Sequence, residues 1–378
     1  MSPDTVVDCL FELWRDALAE RRTPQTVMLL GAPGIGKTSS ARALAARMTE
    51  HLRRDGADRP AVCQVRDLSS CLPEDLGGLP FREGAVTRYA PQSWMAEVCA
   101  PDAYGVLVLD DLPAASVAVQ VASRQIALEH RVHDAVLSPR VMVIVTGNRR
   151  EDQSSAATLP AHFRNSVLML TVEPSLKAWS QWYADQGYDP LVTRFLALRV
   201  VHFSQLPKQA DAQGAFATPR TWTMLGQLLP VARRTRSLVD VAAGLVGQGI
   251  AVEFAAFVRV AEELVAPEAV LDDPERAIPD VRSVLGTPDR MVAMVCALAD
   301  TTVARARGKR HTDAHERYLR ALAWVTEHGG REYVAASISA FLRARGSLAK
   351  LQQALLSCGA EPRVQAMTTA LAACFTEG

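Results

Sequence analysis

Neither sign of charge prevails in this chain: 41 Lys and Arg face 41 Asp and Glu over 378 residues, a formal net charge of zero. A protein that captures nucleic acid or an anionic membrane along a broad surface needs an excess of positive charge. Nucleic acid is therefore not an expected partner, although a local basic patch stays open. Long apolar runs are missing too. No window reaches membrane-spanning length without a charge, and the N-terminus carries no basic segment followed by an uninterrupted apolar stretch. No membrane partner is expected, and the expected location is the cytoplasm. The seven cysteines, at positions 9, 63, 71, 99, 296, 358 and 374, are odd in number and include no C-x-x-C pair. They read as small buried thiols in a reducing compartment rather than as a disulfide framework. Internal repeats and low-complexity tracts are also lacking, and a chain of this length is expected to form two or three structural units.

What is present is concentrated at Gly31-Ala32-Pro33-Gly34-Ile35-Gly36-Lys37-Thr38, which satisfies the phosphate-loop pattern G-x-x-x-x-G-K-[ST]. Its flanks suit it. Val27-Met28-Leu29-Leu30 precedes it as a buried strand, and Ser39 to Ala46 follows as a run of strong helix formers. Glycines at 31, 34 and 36 let successive N–H groups turn inward at a helix N-terminus, where the dipole favours an anion. Lys37 is placed to reach the β- and γ-phosphates, and Thr38 to offer its hydroxyl to Mg²⁺, with Ser39 beside it as a further nucleotide-binding candidate. The pattern predicts binding of a nucleoside triphosphate.

Around this loop the chain alternates strand and helix signals. Val7, Leu10, Phe11, Trp14 and Leu18 recur at helical spacing, and apolar runs follow at Ala61 to Val65, Gly105 to Leu109, Val141 to Thr146 and Val167 to Val172. This predicts an α/β fold, a parallel sheet covered by helices on both faces. Two hairpins are expected in addition, one over Leu79 to Ala90 turning at Arg82-Glu83-Gly84, the other over Arg131 to Val141 turning near Leu137-Ser138-Pro139. From Trp179 onward helices dominate. The stretch Ala266 to Pro288, with four prolines and several acids, reads as a linker. The expected division is residues 1–175 as the nucleotide-binding core, 176–288 as a helical lid and 289–378 as a C-terminal helical extension.

Three further motifs fit the same chemistry. Val106-Leu107-Val108-Leu109-Asp110-Asp111 is a buried strand that delivers two acids at its C-terminal edge, where open α/β sheets bind ligands. Asp110 is the candidate Mg²⁺ holder and Asp111 the residue that orients or activates the attacking water. Asn148, at the tip of the strand Val141 to Gly147, could stand between the γ-phosphate and that water; its other reading is an ordinary turn residue after Gly147. In Thr218-Pro219-Arg220-Thr221-Trp222, Thr218 suits an N-cap and Pro219 a first helical residue. Arg220 then opposes the dipole of its own helix, which makes sense beside an anion.

Other constellations are weaker. His311 and His315, four apart, lack the H-E-x-x-H arrangement, and a solvated helix start is preferred to a metal site. Gly244 to Gly249 echoes a phosphate loop but has no following Gly-Lys, so close helix packing is preferred. Trp179, Trp182 and Tyr183 read as core packing rather than a partner stripe, and Arg233-Arg234-Thr235-Arg236 as a solvated loop.

Taken in order, these motifs resemble the AAA+ ATPases, and within them the MoxR-like branch. Besides the phosphate loop, Leu72 to Pro80 resembles that branch's segment before its first inserted hairpin. Tyr104 to Leu112 is similar to its second nucleotide motif, and Val145-Thr146-Gly147-Asn148-Arg149 to its sensor 1. Leu159 to Asn165 resembles the arginine-finger region, with Arg164 as the finger, and Thr218 to Trp222 resembles sensor 2. The resemblance implies a five-stranded sheet with a helical lid, and a homo-oligomeric ring, usually a hexamer, with ATP and Mg²⁺ at subunit interfaces. It also implies ATP hydrolysis that drives a remodelling or chaperone-like action on a protein client, often with a partner carrying a von Willebrand factor A-type domain. A nucleotide-switched scaffold with weak turnover and a DNA-acting motor are the alternatives. Two departures bear on rate. Asp110-Asp111 stands where the family has Asp-Glu, which withdraws the second carboxylate by one methylene, and Ser166 occupies a position where similar members often carry Arg.

Overall fold

The apolar runs become the strands of one parallel sheet, and the alternation along each strand decides what covers its two faces. The computed structural model describes residues 1–56, 59–149, 161–206, 214–306, 313–330, 333–343 and 346–376. The chain opens with α1 (Pro3–Ala19), β1 (Val27–Leu30), α2 (Lys37–Arg54), β2 (Val62–Asp67), α3 (Pro73–Gly77), the hairpin β3 (Leu79–Glu83) and β4 (Val86–Ala90), and α4 (Ser93–Cys99). It continues through β5 (Tyr104–Asp110), α5 (Val117–Glu129), a small hairpin of β6 (Arg131–Val132) and β7 (Ala135–Val136), β8 (Arg140–Gly147), α6 (Ala161–Arg164) and β9 (Leu168–Thr171). The five-stranded sheet has the order β2-β5-β8-β1-β9, and its neighbouring strands are parallel throughout.

Successive side chains of a strand point to opposite faces. Val27, Leu29, Val106, Val108, Met142 and Ile144 accordingly enter one core with Leu10 and Trp14 of α1 and Leu44 and Met48 of α2. Their neighbours Met28, Leu107, Leu109, Val141, Val143 and Val145 enter the other, with Leu76, Trp94, Met95, Val119 and Ile126 of α3 to α5. Helices therefore cover both faces, as an all-parallel sheet requires. The first helix buries Val6, Leu10, Phe11, Trp14 and Ala17, a face one residue earlier than the sequence spacing picks at its ends. Its Trp14 indole donates to the Arg140 carbonyl at 2.9 Å, tying α1 to the start of β8.

Both hairpins form, with corrected turns. In the first, Glu83 pairs with Val86, so the two-residue turn is Gly84-Ala85, and Gly84 supplies the positive φ of 63°. In the second, Arg131 pairs with Val136, the turn is His133-Asp134, and Leu137 to Pro139 instead lead into β8.

The remaining helices are α7 (Leu176–Asp185), α8 (Leu191–Leu198), α9 (Pro219–Arg234), α10 (Leu238–Val246), α11 (Gln248–Glu263), α12 (Pro267–Asp272), α13 (Pro274–Ala277), α14 (Val281–Leu285), α15 (Pro288–Ala306), α16 (Ala314–Gly329), α17 (Tyr333–Arg343), α18 (Leu348–Cys358) and α19 (Pro362–Thr376). The chain divides into two compact units, Met1–Ser175 with Leu206–Ala212, and Leu176–Gln205 with Gln213–Gly378. In the second, Tyr183, Phe195, Trp222 and Phe254 centre one core, and α12 to α19 build another around Met294, Tyr318, Leu322 and Phe341.

Residues 266–288 are not a linker. They form α12, α13 and α14, whose Val270, Leu271, Val281 and Leu285 are buried in the α12 to α19 core. Three of the prolines that suggested a break open helices, Pro267, Pro274 and Pro288, at a position where a missing N–H costs nothing. Ala293 of α15 lies in the core of α7 to α11.

Candidate functional site

The sheet order decides which side chains meet. β8 lies between β1, which carries the phosphate loop, and β5, which carries the acids. The polar residues at the end of β8 are therefore delivered between the two motifs. Residues 31–36 form the loop from β1 into α2, with Gly36 at φ 104°, a left-handed geometry that a Cβ would strain. Gly31 needs to be glycine for a different reason: a Cβ there would lie 2.5 Å from the Val172 carbonyl oxygen and 2.6 Å from Ile35 Cδ1. Ala32 and Ile35 are buried, Pro33 and Gly34 half-buried, and Ser39 is exposed on the outer side of α2. Ser40 ties the helix start to the loop by donating from Oγ to the Gly36 carbonyl at 3.0 Å.

Lys37 stands at the N-terminus of α2. Its ammonium donates to the carbonyl oxygens of Gly31 at 2.7 Å and Ala32 at 2.9 Å, and to Asn148 Oδ1 at 2.8 Å. The lysine thus braces its own loop and joins it to the tip of β8. Thr38 donates from Oγ1 to both oxygens of Asp110, at 2.8 and 3.0 Å. A hydroxyl and a carboxylate converging in this way are hard oxygen donors of the kind that fit Mg²⁺, which commonly takes one or two protein oxygens and completes its shell with water and phosphate.

Two participants escape a linear reading. Thr146, buried on β8, donates from Oγ1 to Asp110 Oδ1 at 2.5 Å and accepts from the Asp111 backbone N–H at 3.0 Å. Asp67 ends β2 and pairs in register with Asp110; its carboxylate accepts from Ser69 N and Oγ at 3.1 and 2.6 Å and so caps its own turn. The sequence signal for Thr146 is a polar residue interrupting an apolar strand two positions before Asn148. The signal for Asp67 is a carboxylate at the end of the neighbouring strand.

Asp111 sits just beyond β5 with φ 57° and ψ 42°. This left-handed conformation is tolerated far better by Asp or Asn than by longer side chains, a local reason for aspartate where the resembling family has glutamate. Burial pushes its carboxyl pKa up, and the adjacent Asp110 and then Asp67 push the same way, while Lys37 opposes them.

No known family's model matches the chain, and no curated protein matches it. Among solved structures, it is similar to the Thermotoga maritima RuvB Holliday junction branch migration motor, with 14% identity over 95% of this chain and 90% of that one and a TM-score of 0.33. It is also similar to Cdc6p of Pyrobaculum aerophilum, with 12% identity over 89% and 83% and a TM-score of 0.38. The Aeropyrum pernix ORC2 protein gives 11% identity over 89% and 83%, with a TM-score of 0.40.

The remaining sequence candidates are placed as follows. Arg164 is exposed at the end of α6, and Leu159 and Pro160 lie outside the described residues. Arg220 belongs to the second unit, exposed in the first turn of α9. That helix start forms as its sequence predicts, with Thr218 Oγ1 accepting from Thr221 N at 3.2 Å. His311 lies outside the described residues, and His315 is a buried residue edge-on to Phe341 rather than part of a solvated helix start. Gly247 forms the corner between α10 and α11 with φ 92°. Tyr183 is core, Trp179 half-buried and Trp182 exposed. Arg233 pairs with Glu262 at 2.5 Å and Asp189 at 3.3 Å. No helix among the described residues is long and apolar enough to cross a membrane.

Proposed function

We propose that this chain binds Mg·ATP in the loop of residues 31–38 and hydrolyses it. The observation that carries the reading is the linked network in which Lys37 joins the loop to Asn148 while Thr38 and Thr146 both hold Asp110. The loop amides and Lys37 bind the triphosphate at a helix N-terminus, where the dipole favours negative charge. Thr38 and Asp110 are the residues that would hold Mg²⁺, which when bound neutralises charge on the β- and γ-phosphate oxygens. Asn148, held by Lys37, orients the water, and Asp111 accepts its proton. The raised pKa of Asp111 suits a base better than an ordinary surface carboxylate would.

The resemblance to the MoxR-like AAA+ branch extends the proposal to a ring, hexameric in that branch, that remodels a protein client together with a partner carrying a von Willebrand factor A-type domain. The exposure of Arg164 supports a role across a subunit boundary, stabilising charge at a neighbour's γ-phosphate. The test is Mg²⁺-dependent ATP hydrolysis measured over a range of protein concentrations. Specific activity is expected to rise as rings form and to fall in Arg164→Ala without loss of ATP binding. Absence of Mg·ATP binding in the wild type sinks the whole reading, whereas concentration-independent turnover unaffected by Arg164→Ala sinks only the ring and its finger. Salt-dependent capture of duplex DNA would replace the protein client by nucleic acid.

A further inference from the structure

The hydrogen-bond donors around the two acids are not equivalent. Thr38 reaches Asp110 from the helix that carries the phosphate loop. Thr146 reaches it from within the sheet and bonds both acids at once. Its hydroxyl proton goes to Asp110 Oδ1 and its lone pair takes the Asp111 amide. It is 1% exposed, so water does not substitute for either bond. The Asp111 amide belongs to a residue held at φ 57°, a conformation that costs free energy and persists only where surrounding contacts fix it. One hydroxyl therefore holds the Asp110 carboxylate from the sheet side, opposite Thr38, and anchors the backbone from which the Asp111 side chain projects.

We infer that Thr146 is a positioning residue for hydrolysis: it fixes Asp110 for the metal and Asp111 for the water relative to each other, and contributes little to holding the nucleotide itself. The inference rests on the Mg·ATPase reading above and goes beyond it in separating binding from turnover. The Lys37 ammonium, which carries the phosphates, bonds Gly31, Ala32 and Asn148, so the phosphate contacts are a step removed from the Thr146 hydroxyl. The metal and the attacking water are not.

The experiment uses the full chain and three substitutions. Thr146→Val keeps size and β-branching and removes the hydroxyl; Thr146→Ala removes both; Thr146→Ser keeps the hydroxyl and removes the methyl. A fluorescent ATP analogue titrated without Mg²⁺ is expected to bind Thr146→Val within about threefold of wild type. The Mg²⁺ concentration needed for half-maximal tightening of that complex is expected to rise. Saturated turnover should fall about tenfold to a hundredfold, the scale of an ångström's misplacement of a reacting group. Thr146→Ser should return turnover to within about threefold of wild type. Thermal melts identify which variants are folded; if Thr146→Val is not, the contrast between Thr146→Ala and Thr146→Ser carries the same comparison. Wild-type turnover and Mg²⁺ requirement in a folded variant without the hydroxyl would overturn the inference. So would a Thr146→Ser protein as impaired as the others, because the methyl's packing would then be what matters. A wild type that binds the analogue neither without Mg²⁺ nor with it overturns the ATPase reading instead, and the two wild-type titrations tell this case apart.

Discussion

Replacing Lys37 with alanine removes the ammonium that donates to Gly31 O, Ala32 O and Asn148 Oδ1 at 2.7, 2.9 and 2.8 Å. A phosphate oxygen that recruits this group exchanges one bond to a neutral oxygen for one to an anion. Hydrogen bonds to charged groups contribute roughly 1.5–3 kcal/mol net, and because the lysine gives up a charge-assisted bond in the exchange, the lower end, about 1.5 kcal/mol, is the appropriate figure. At about 1.4 kcal/mol per factor of ten, the dissociation constant for ATP should rise at least about tenfold. A second effect acts in the same direction. The buried Gly31 and Ala32 lose the donor that their carbonyls share, so the loop becomes less ordered and binding must reorder it. Asn148→Ala serves as the comparison: it removes one acceptor and leaves the ammonium in place, so affinity should change by less than about threefold while turnover falls. Titration calorimetry with a slowly hydrolysed ATP analogue measures both, and a thermal melt on each variant shows that it is folded. An unchanged affinity in a folded Lys37→Ala protein would refute the assignment of this loop as the triphosphate site.

Asp111→Asn keeps a residue that tolerates the left-handed backbone at φ 57° and removes only the base; turnover should fall at least about a hundredfold while ATP affinity is retained, and a hydrolysis rate within a few-fold of wild type would show that another group takes the proton. His130, whose Nε2 lies 3.1 Å from Thr26 Oγ1 and whose buried Nδ1 has no partner among the described residues, has its pKa pushed below the ordinary 6.5 by burial. The folded state therefore resists protonation that the unfolded state accepts, so the stability His130 contributes is fully present above about pH 6.5 and is lost as pH falls from there towards the folded pKa. Melting temperatures between about pH 7 and pH 5 should fall more steeply in wild type than in His130→Gln, and parallel curves would remove His130 from the account.

The sequence alone determined whatever is contiguous. The phosphate loop is a run of eight residues whose chemistry depends on local backbone turns, and Gly36 adopts the left-handed geometry that the pattern anticipates. The strands were legible because apolar runs of this length bury both faces, and β1 spans Val27–Leu30 as its composition suggested. The cap at Thr218 and the helix that starts at Pro219 were likewise local. Tertiary structure decided the rest. That β8 lies between β1 and β5 is a matter of strand order, which no strand encodes by itself, and it is this order that brings Thr146 to Asp110 and Asn148 to Lys37. The prolines of residues 266–288 could either break a chain or begin helices. Burial of Val270, Leu271, Val281 and Leu285 against partners distant in sequence selected the second. The left-handed backbone of Asp111 is local in extent but is held by a hydroxyl 35 residues away. A side chain's neighbours on the next strand are fixed by the fold, and the acids of this site take their geometry from there.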